Sequence, residues 1–80
     1  MKKVLIAEDD MFIASAYKTK LEAEGAEVRI AEDGEEAMEI LKNFKPDVIV
    51  LDLVMPKRDG FETLKILKNH ESYKKIKVIV

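Results

Sequence analysis

Lys45-Pro46-Asp47-Val48-Ile49-Val50-Leu51-Asp52-Leu53-Val54-Met55-Pro56 is the stretch whose reading decides the fold. Val48 to Leu51 is an unbroken β-branched and aliphatic run, the pattern of a strand buried on both faces of a parallel sheet. Pro46 and Pro56 punctuate the run at either end, and it is too short for an ordinary helix. Asp52 is the anomaly. An ionised carboxylate at the end of a buried apolar run costs desolvation free energy unless something pairs with it.

Working outward, Val4-Leu5-Ile6-Ala7 reads as a first strand that ends abruptly in Glu8-Asp9-Asp10. The spacing predicts a helix from about Met11 to Glu24 with Ile13, Ala16, Tyr17 and Leu21 on its inward face, stopped by Gly25. Val28 and Ile30 alternate with Glu27 and Arg29, as expected of an edge strand. Asp33-Gly34 offers a turn and a cap for a helix over about Glu35 to Asn43, with Ala37, Ile40, Leu41 and Phe44 inward. Beyond the central strand, Lys57-Arg58-Asp59-Gly60 is a polar loop with Asp59 as an N-cap. A third helix is expected from Gly60 to Asn69 on a Phe61, Leu64, Leu67 stripe. Ser72 to Lys75 form a basic loop, and Ile76-Lys77-Val78-Ile79-Val80 begins a fourth strand. Such alternation is the signature of right-handed βαβ units and an α/β fold.

At 80 residues the chain holds one small domain of ordinary globular composition, 48% hydrophobic and 38% charged. Fourteen basic and sixteen acidic residues nearly cancel, to a net charge of −2, which argues against nucleic-acid binding through bulk charge. The absence of cysteine excludes disulfides, thiolate metal sites and Cys nucleophiles. The first strand begins too early for a signal peptide, and no apolar stretch approaches the roughly 20 residues needed to span a bilayer. A soluble, cytoplasmic chain without membrane contact is the expectation.

Open parallel sheets bind ligands beyond the carboxyl ends of their strands. If the first and central strands are neighbours, Glu8, Asp9, Asp10 and Asp52 converge there. Clustered carboxylates repel one another and call for a cation; oxygen ligands without His or Cys favour a hard ion such as Mg²⁺. Beside such an ion Asp52 could attack phosphorus and form an aspartyl-phosphate. The plainer alternative makes Asp9 or Asp10 a helix cap and Asp52 a solvated strand end.

Val4-Leu5-Ile6-Ala7-Glu8-Asp9-Asp10, then Asp47 to Pro56, then Asp59-Gly60, resemble the receiver domain of two-component response regulators. The likeness runs the length of the chain, and its most specific element is the Asp52-x-x-Met55-Pro56-x-x-Asp59-Gly60 segment. The resemblance implies a three-layer, flavodoxin-like parallel sheet, of which residues 1–80 are the first two-thirds, with strand order 2-1-3-4. It makes Asp52 the phosphoacceptor, and assigns Mg²⁺ to Glu8, Asp9, Asp52 and the backbone carbonyl of Val54. Asp10 becomes a helix cap or a group behind the ligands, while Pro56 and Gly60 shape the loop after the third strand. A histidine kinase or histidine phosphotransfer protein is the implied donor, docking on a first-helix face that includes Phe12, Ala14 and Ser15. The chain departs from the family in length. The Thr or Ser, the aromatic switch residue and the Lys that complete the family's site fall past Val80. Impaired phosphotransfer is therefore expected of these 80 residues taken alone. An exposed fourth strand further predicts a homodimer, by edge pairing or by exchange of elements.

Three functions compete on this reading. The first is a phosphoacceptor, not a turnover enzyme although it assists its own phosphorylation. The second is a structural half of a flavodoxin-like fold that self-assembles. The third is a metal-binding module without phosphotransfer. His70, the methionines and the Lys57-Arg58 and Lys74-Lys75 pairs read more plainly as helix-end, packing and solvated residues.

Overall fold

The computed structural model describes residues 2–52 and 60–80, without the Gly60 and Phe61 side chains. Its elements follow in the order β1 (Lys3–Ala7), α1 (Met11–Ala23), β2 (Glu27–Ala31), α2 (Gly34–Leu41), β3 (Val48–Leu51), α3 (Gly60–Asn69) and β4 (Lys77–Ile79). All strand pairs are parallel, and the sheet order is β2-β1-β3-β4, as expected. β1 pairs with β2 from Lys3↔Glu27 to Ala7↔Ala31, and with β3 from Val4↔Val48 to Ala7↔Leu51. The Ala7↔Leu51 register aligns the ends of the first and third strands.

Side-chain alternation divides the core in two. Leu5, Ala7, Ala31, Ile49 and Leu51 face α2 and α3, where Ala37, Leu41, Phe44 and Leu67 close a buried cluster. Val4, Ile6 and Val28 face α1 and meet Ala14, which is fully buried. Burying a large aliphatic side chain contributes roughly 1.5–3 kcal/mol, so Leu5, Ile6, Ile49, Leu51 and Leu67 anchor the sheet.

Helix ends are set by their caps. Asp10 is the N-cap of α1 and accepts hydrogen bonds from the backbone N–H groups of Phe12 (3.0 Å) and Ile13 (3.3 Å). Asp33 caps α2 by accepting from the Glu36 N–H at 2.8 Å, and the Glu36 side chain accepts from the Glu32 N–H at 2.6 Å. α1 stops at Gly25, whose φ of +94° is left-handed. The Gly25 N–H donates to the Glu22 carbonyl and the Ala26 N–H to the Leu21 carbonyl, which is the Schellman arrangement.

The first helix departs from expectation. Ile13 is 42% and Tyr17 51% exposed, and Ala16 is exposed as well. Ala14, expected on the outer docking face, is the residue that packs on the sheet, with Leu21 on the same side and partly buried. An alanine there lets the helix backbone approach the strands closely, which turns the inward stripe by about one position. Boundaries elsewhere shift by a residue or two, the usual fraying at element ends. Among the described residues no helix is long and apolar enough to cross a membrane.

Candidate functional site

The carboxyl ends of β1 and β3 meet at the middle of the sheet. The ladders run one residue past the strands: the Glu8 N–H donates to the Ala31 carbonyl (3.0 Å) and the Asp52 N–H to the Ala7 carbonyl (2.9 Å). These bonds fix two acidic residues side by side, each the first after a buried apolar strand. Asp9 follows Glu8 at the mouth of α1. One carboxylate oxygen each from Glu8, Asp9 and Asp52 lie within 4.8 Å of one another, Glu8 and Asp52 half-buried and Asp9 exposed.

Asp10 is turned away from this group by its capping role, and its own N–H donates to Glu8 Oε1 at 3.1 Å. Partial burial pushes the Glu8 carboxyl above its ordinary value, and the Asp10 N–H offsets part of that rise. The negative charges of Asp52 and Asp9 and a hydrogen bond with Asp52 raise it further. Chemically, the corner is a compact set of hard oxygen donors under mutual repulsion, a set that favours a divalent cation over a proton near neutral pH.

Of the residues expected to form the site, the structure brings together Glu8, Asp9 and Asp52, and gives Asp10 to the helix. Gly60 opens α3. Val54, Pro56 and the Asp59 cap lie outside the described residues. Beside the acidic corner runs a groove of about 790 Å³ between α1 and the β3–β4 half of the sheet. Asp52 and Glu8 lie at its edge, and Ile13, Tyr17, Val50 and Ile79 among its walls. The sequence reading missed this groove by assigning Ile13 and Tyr17 to the core. The available signal was a helix with uncharged residues on more than one side.

Comparison with known proteins agrees with this architecture. Residues 4–80 match the response regulator receiver domain. The transcriptional regulatory protein CpxR of Escherichia coli is 43% identical over 68 residues, 85% of this chain and 29% of CpxR. The alkaline phosphatase synthesis regulator PhoP of Bacillus subtilis is 41% identical over 70 residues, 88% of this chain and 29% of PhoP. Among solved structures, the signal receiver domain of a Syntrophus aciditrophicus histidine kinase superposes with a TM-score of 0.93 at 32% identity, over 98% of this chain and 59% of that one. TrrA of Thermotoga maritima, solved in complex with Mg²⁺ and BeF, gives 0.90 at 32% identity, over all of this chain and 68% of its own. The chain thus spans under a third of the regulators it matches, and about three-fifths of the first of these structures.

Proposed function

Because this chain belongs to the response regulator receiver domain family, we propose that it accepts a phosphoryl group on Asp52 from a histidine kinase or histidine phosphotransfer protein. The observation that carries this reading is the oxygen triad of Glu8, Asp9 and Asp52 at the carboxyl edge of the sheet. A carboxylate oxygen of Asp52 attacks phosphorus, the bond from phosphorus to the donor's imidazole nitrogen breaks, and an acyl phosphate forms as the imidazole takes up a proton. Glu8, Asp9 and Asp52 are the side chains that would hold Mg²⁺, with the Val54 carbonyl added by family resemblance. Their all-oxygen, like-charged donor set suits such an ion. When bound, Mg²⁺ neutralises charge on the phosphoryl oxygens. The ladder bond at the Asp52 N–H holds the nucleophile's backbone still, so orientation is set before the donor arrives.

The role is that of a signalling acceptor and not a turnover enzyme, in a cytoplasmic setting without membrane or direct nucleic-acid contact. We also read the chain as a homodimer, since among the described residues the exposed large hydrophobics lie in α1 and at Ile79 and Val80 beside the β4 edge. The test of the central reading is intact-mass spectrometry after incubation with acetyl phosphate and Mg²⁺. A phosphoryl adduct that needs both Mg²⁺ and Asp52, and is lost in Asp52→Asn, is expected. A folded protein that forms no adduct under these conditions would overturn it and favour a purely structural role.

A further inference from the structure

Glu8 has the longest side chain of the acidic corner, and a long carboxylate loses the most rotamer freedom when it is fixed on a cation. The fold restrains it at both ends. Its backbone N–H donates to the Ala31 carbonyl at 3.0 Å, and its Oε1 accepts the Asp10 N–H at 3.1 Å. The near end of the side chain is thus tied to β2, and the far end to the residue that opens α1.

A backbone N–H orients a neighbour only when its own residue is held. Asp10 is held by its Oδ1, which accepts from the Phe12 and Ile13 N–H groups at 3.0 and 3.3 Å. Its carbonyl accepts from the Ala14 N–H at 2.9 Å. Ala14 is fully buried against Val4, Ile6 and Val28. Contacts therefore run without a break from the sheet through Ala14 and Asp10 to Glu8. As the residue flanking the helix, Asp10 has no helical acceptor for its own N–H. Its extended backbone, at φ −84° and ψ 103°, returns that N–H to Glu8.

The Asp10 carboxylate has a different task from those of the triad. Its Oδ1 is committed to the helix, and the three oxygens that lie within 4.8 Å of one another come from Glu8, Asp9 and Asp52. Asp52 and Asp9 act on the Glu8 carboxyl through their charges, whereas Asp10 acts through its N–H.

We propose that Asp10 is a positioning residue of the cation site: by capping α1 it aims its N–H at Glu8, pre-sets that ligand, and couples the first turn of the helix to Mg²⁺ binding. The inference rests on the cation-site reading given above, and the contacts that carry it all lie between Val4 and Ala31. Coupling of this kind is reciprocal. A cap that strengthens Mg²⁺ binding is itself strengthened when Mg²⁺ binds. Removing a group that orients a metal ligand typically weakens binding by roughly 10–100-fold. Here the donor is a backbone group that survives substitution, so the lower end, about tenfold, is the effect expected of losing the cap. Asn and Ser cap as Asp does but carry no charge, and Ala does not cap.

The experiment is a Mg²⁺ titration of the 80-residue chain followed by amide NMR, on the wild type, Asp10→Asn, Asp10→Ser and Asp10→Ala. Asp10→Asn and Asp10→Ser are expected to bind Mg²⁺ within about threefold of the wild type, and Asp10→Ala about tenfold more weakly with its far-UV circular dichroism kept. A wild type that binds no Mg²⁺ overturns the cation-site reading and this inference with it. A wild type that binds, beside a folded Asp10→Ala that binds as well, overturns the positioning role alone. So does an Asp10→Asn as weak as Asp10→Ala, which assigns the effect to charge. Amide hydrogen exchange in the wild type is the second measurement, and it decides should Asp10→Ala fail to fold. Saturating Mg²⁺ is expected to slow exchange at Asp10, Phe12 and Ile13 several-fold more than at Glu36, whose N–H is capped by Asp33 in the first turn of α2. Equal slowing at the two helix starts, or faster exchange at Asp10, overturns the coupling.

Discussion

Replacing Asp52 with Asn removes one of the three clustered carboxylate charges of Glu8, Asp9 and Asp52 and leaves a side chain of nearly the same shape. With oxygens at most 4.8 Å apart, each carboxylate pair repels by about 0.9 kcal/mol at the dielectric of water and about 3.5 kcal/mol at an effective value of 20. The corner is half-exposed, so screening holds the sum over two neighbours near the lower limit. Asp52→Asn is therefore expected to stabilise the metal-free chain by about 1–2 kcal/mol, or roughly 5–10 °C in Tm for a domain of this size. Millimolar Mg²⁺ should raise the wild-type Tm by mass action, about 2.7 kcal/mol at a hundredfold excess over Kd, and leave Asp52→Asn almost unmoved. The assay is thermal unfolding by circular dichroism at one fixed chain concentration, since association also shifts Tm. An Asp52→Asn chain that melts at or below the wild type without Mg²⁺, or a wild type indifferent to Mg²⁺, would refute the view of the corner as a repelling cation site.

Two further outcomes follow from single features. The Glu8 carboxyl is held above its ordinary value of 4.5, so its contribution to stability is fully present below that value and is lost as pH rises through the raised folded-state value. The stability difference between wild type and Glu8→Gln, measured by urea unfolding from about pH 4 to pH 7, should change in that direction, and a pH-independent difference would contradict it. Gly25→Ala meets no atom within 4 Å of the added Cβ, yet must hold φ at +94°. The cost is backbone strain of about 1 kcal/mol, seen as a Tm lowered by several degrees, and an unchanged Tm would show that the Schellman turn relaxes freely.

Much of the fold could be read in advance because its signals are local and redundant. Val48 to Leu51 is bounded by Pro46 and Pro56, Gly25 and Asp33 mark helix ends, and the third helix was bounded at Gly60 and Asn69 by the same punctuation. The convergence of Glu8, Asp9 and Asp52 needed one non-local fact, that the first and third strands are neighbours. Family resemblance supplied that order, and the register later gave it a geometry. The orientation of α1 could not be read. Its apolar residues surround the helix, so Ile13, Ala16 and Tyr17 make as good a stripe as Ala14 and Leu21. What decides between them is how closely the backbone can approach the sheet, a property of alanine that hydrophobicity does not register.

The first of the described strands stands in the middle of the sheet. β1 is flanked by β2 and β3, so its backbone groups on one side stay open until the chain has extended through residue 51. No hairpin can form early, since all pairings are parallel and each must first enclose a helix. Assembly therefore depends on closing long loops before any ladder offsets the lost chain entropy, which makes folding slow beside a helical bundle of equal length. On a ribosome, one edge of the newly made Val4-Leu5-Ile6-Ala7 must wait unpaired while some forty further residues emerge, roughly 2–8 s at ordinary synthesis rates. That interval, more than the folded state, is when this chain is most open to aggregation.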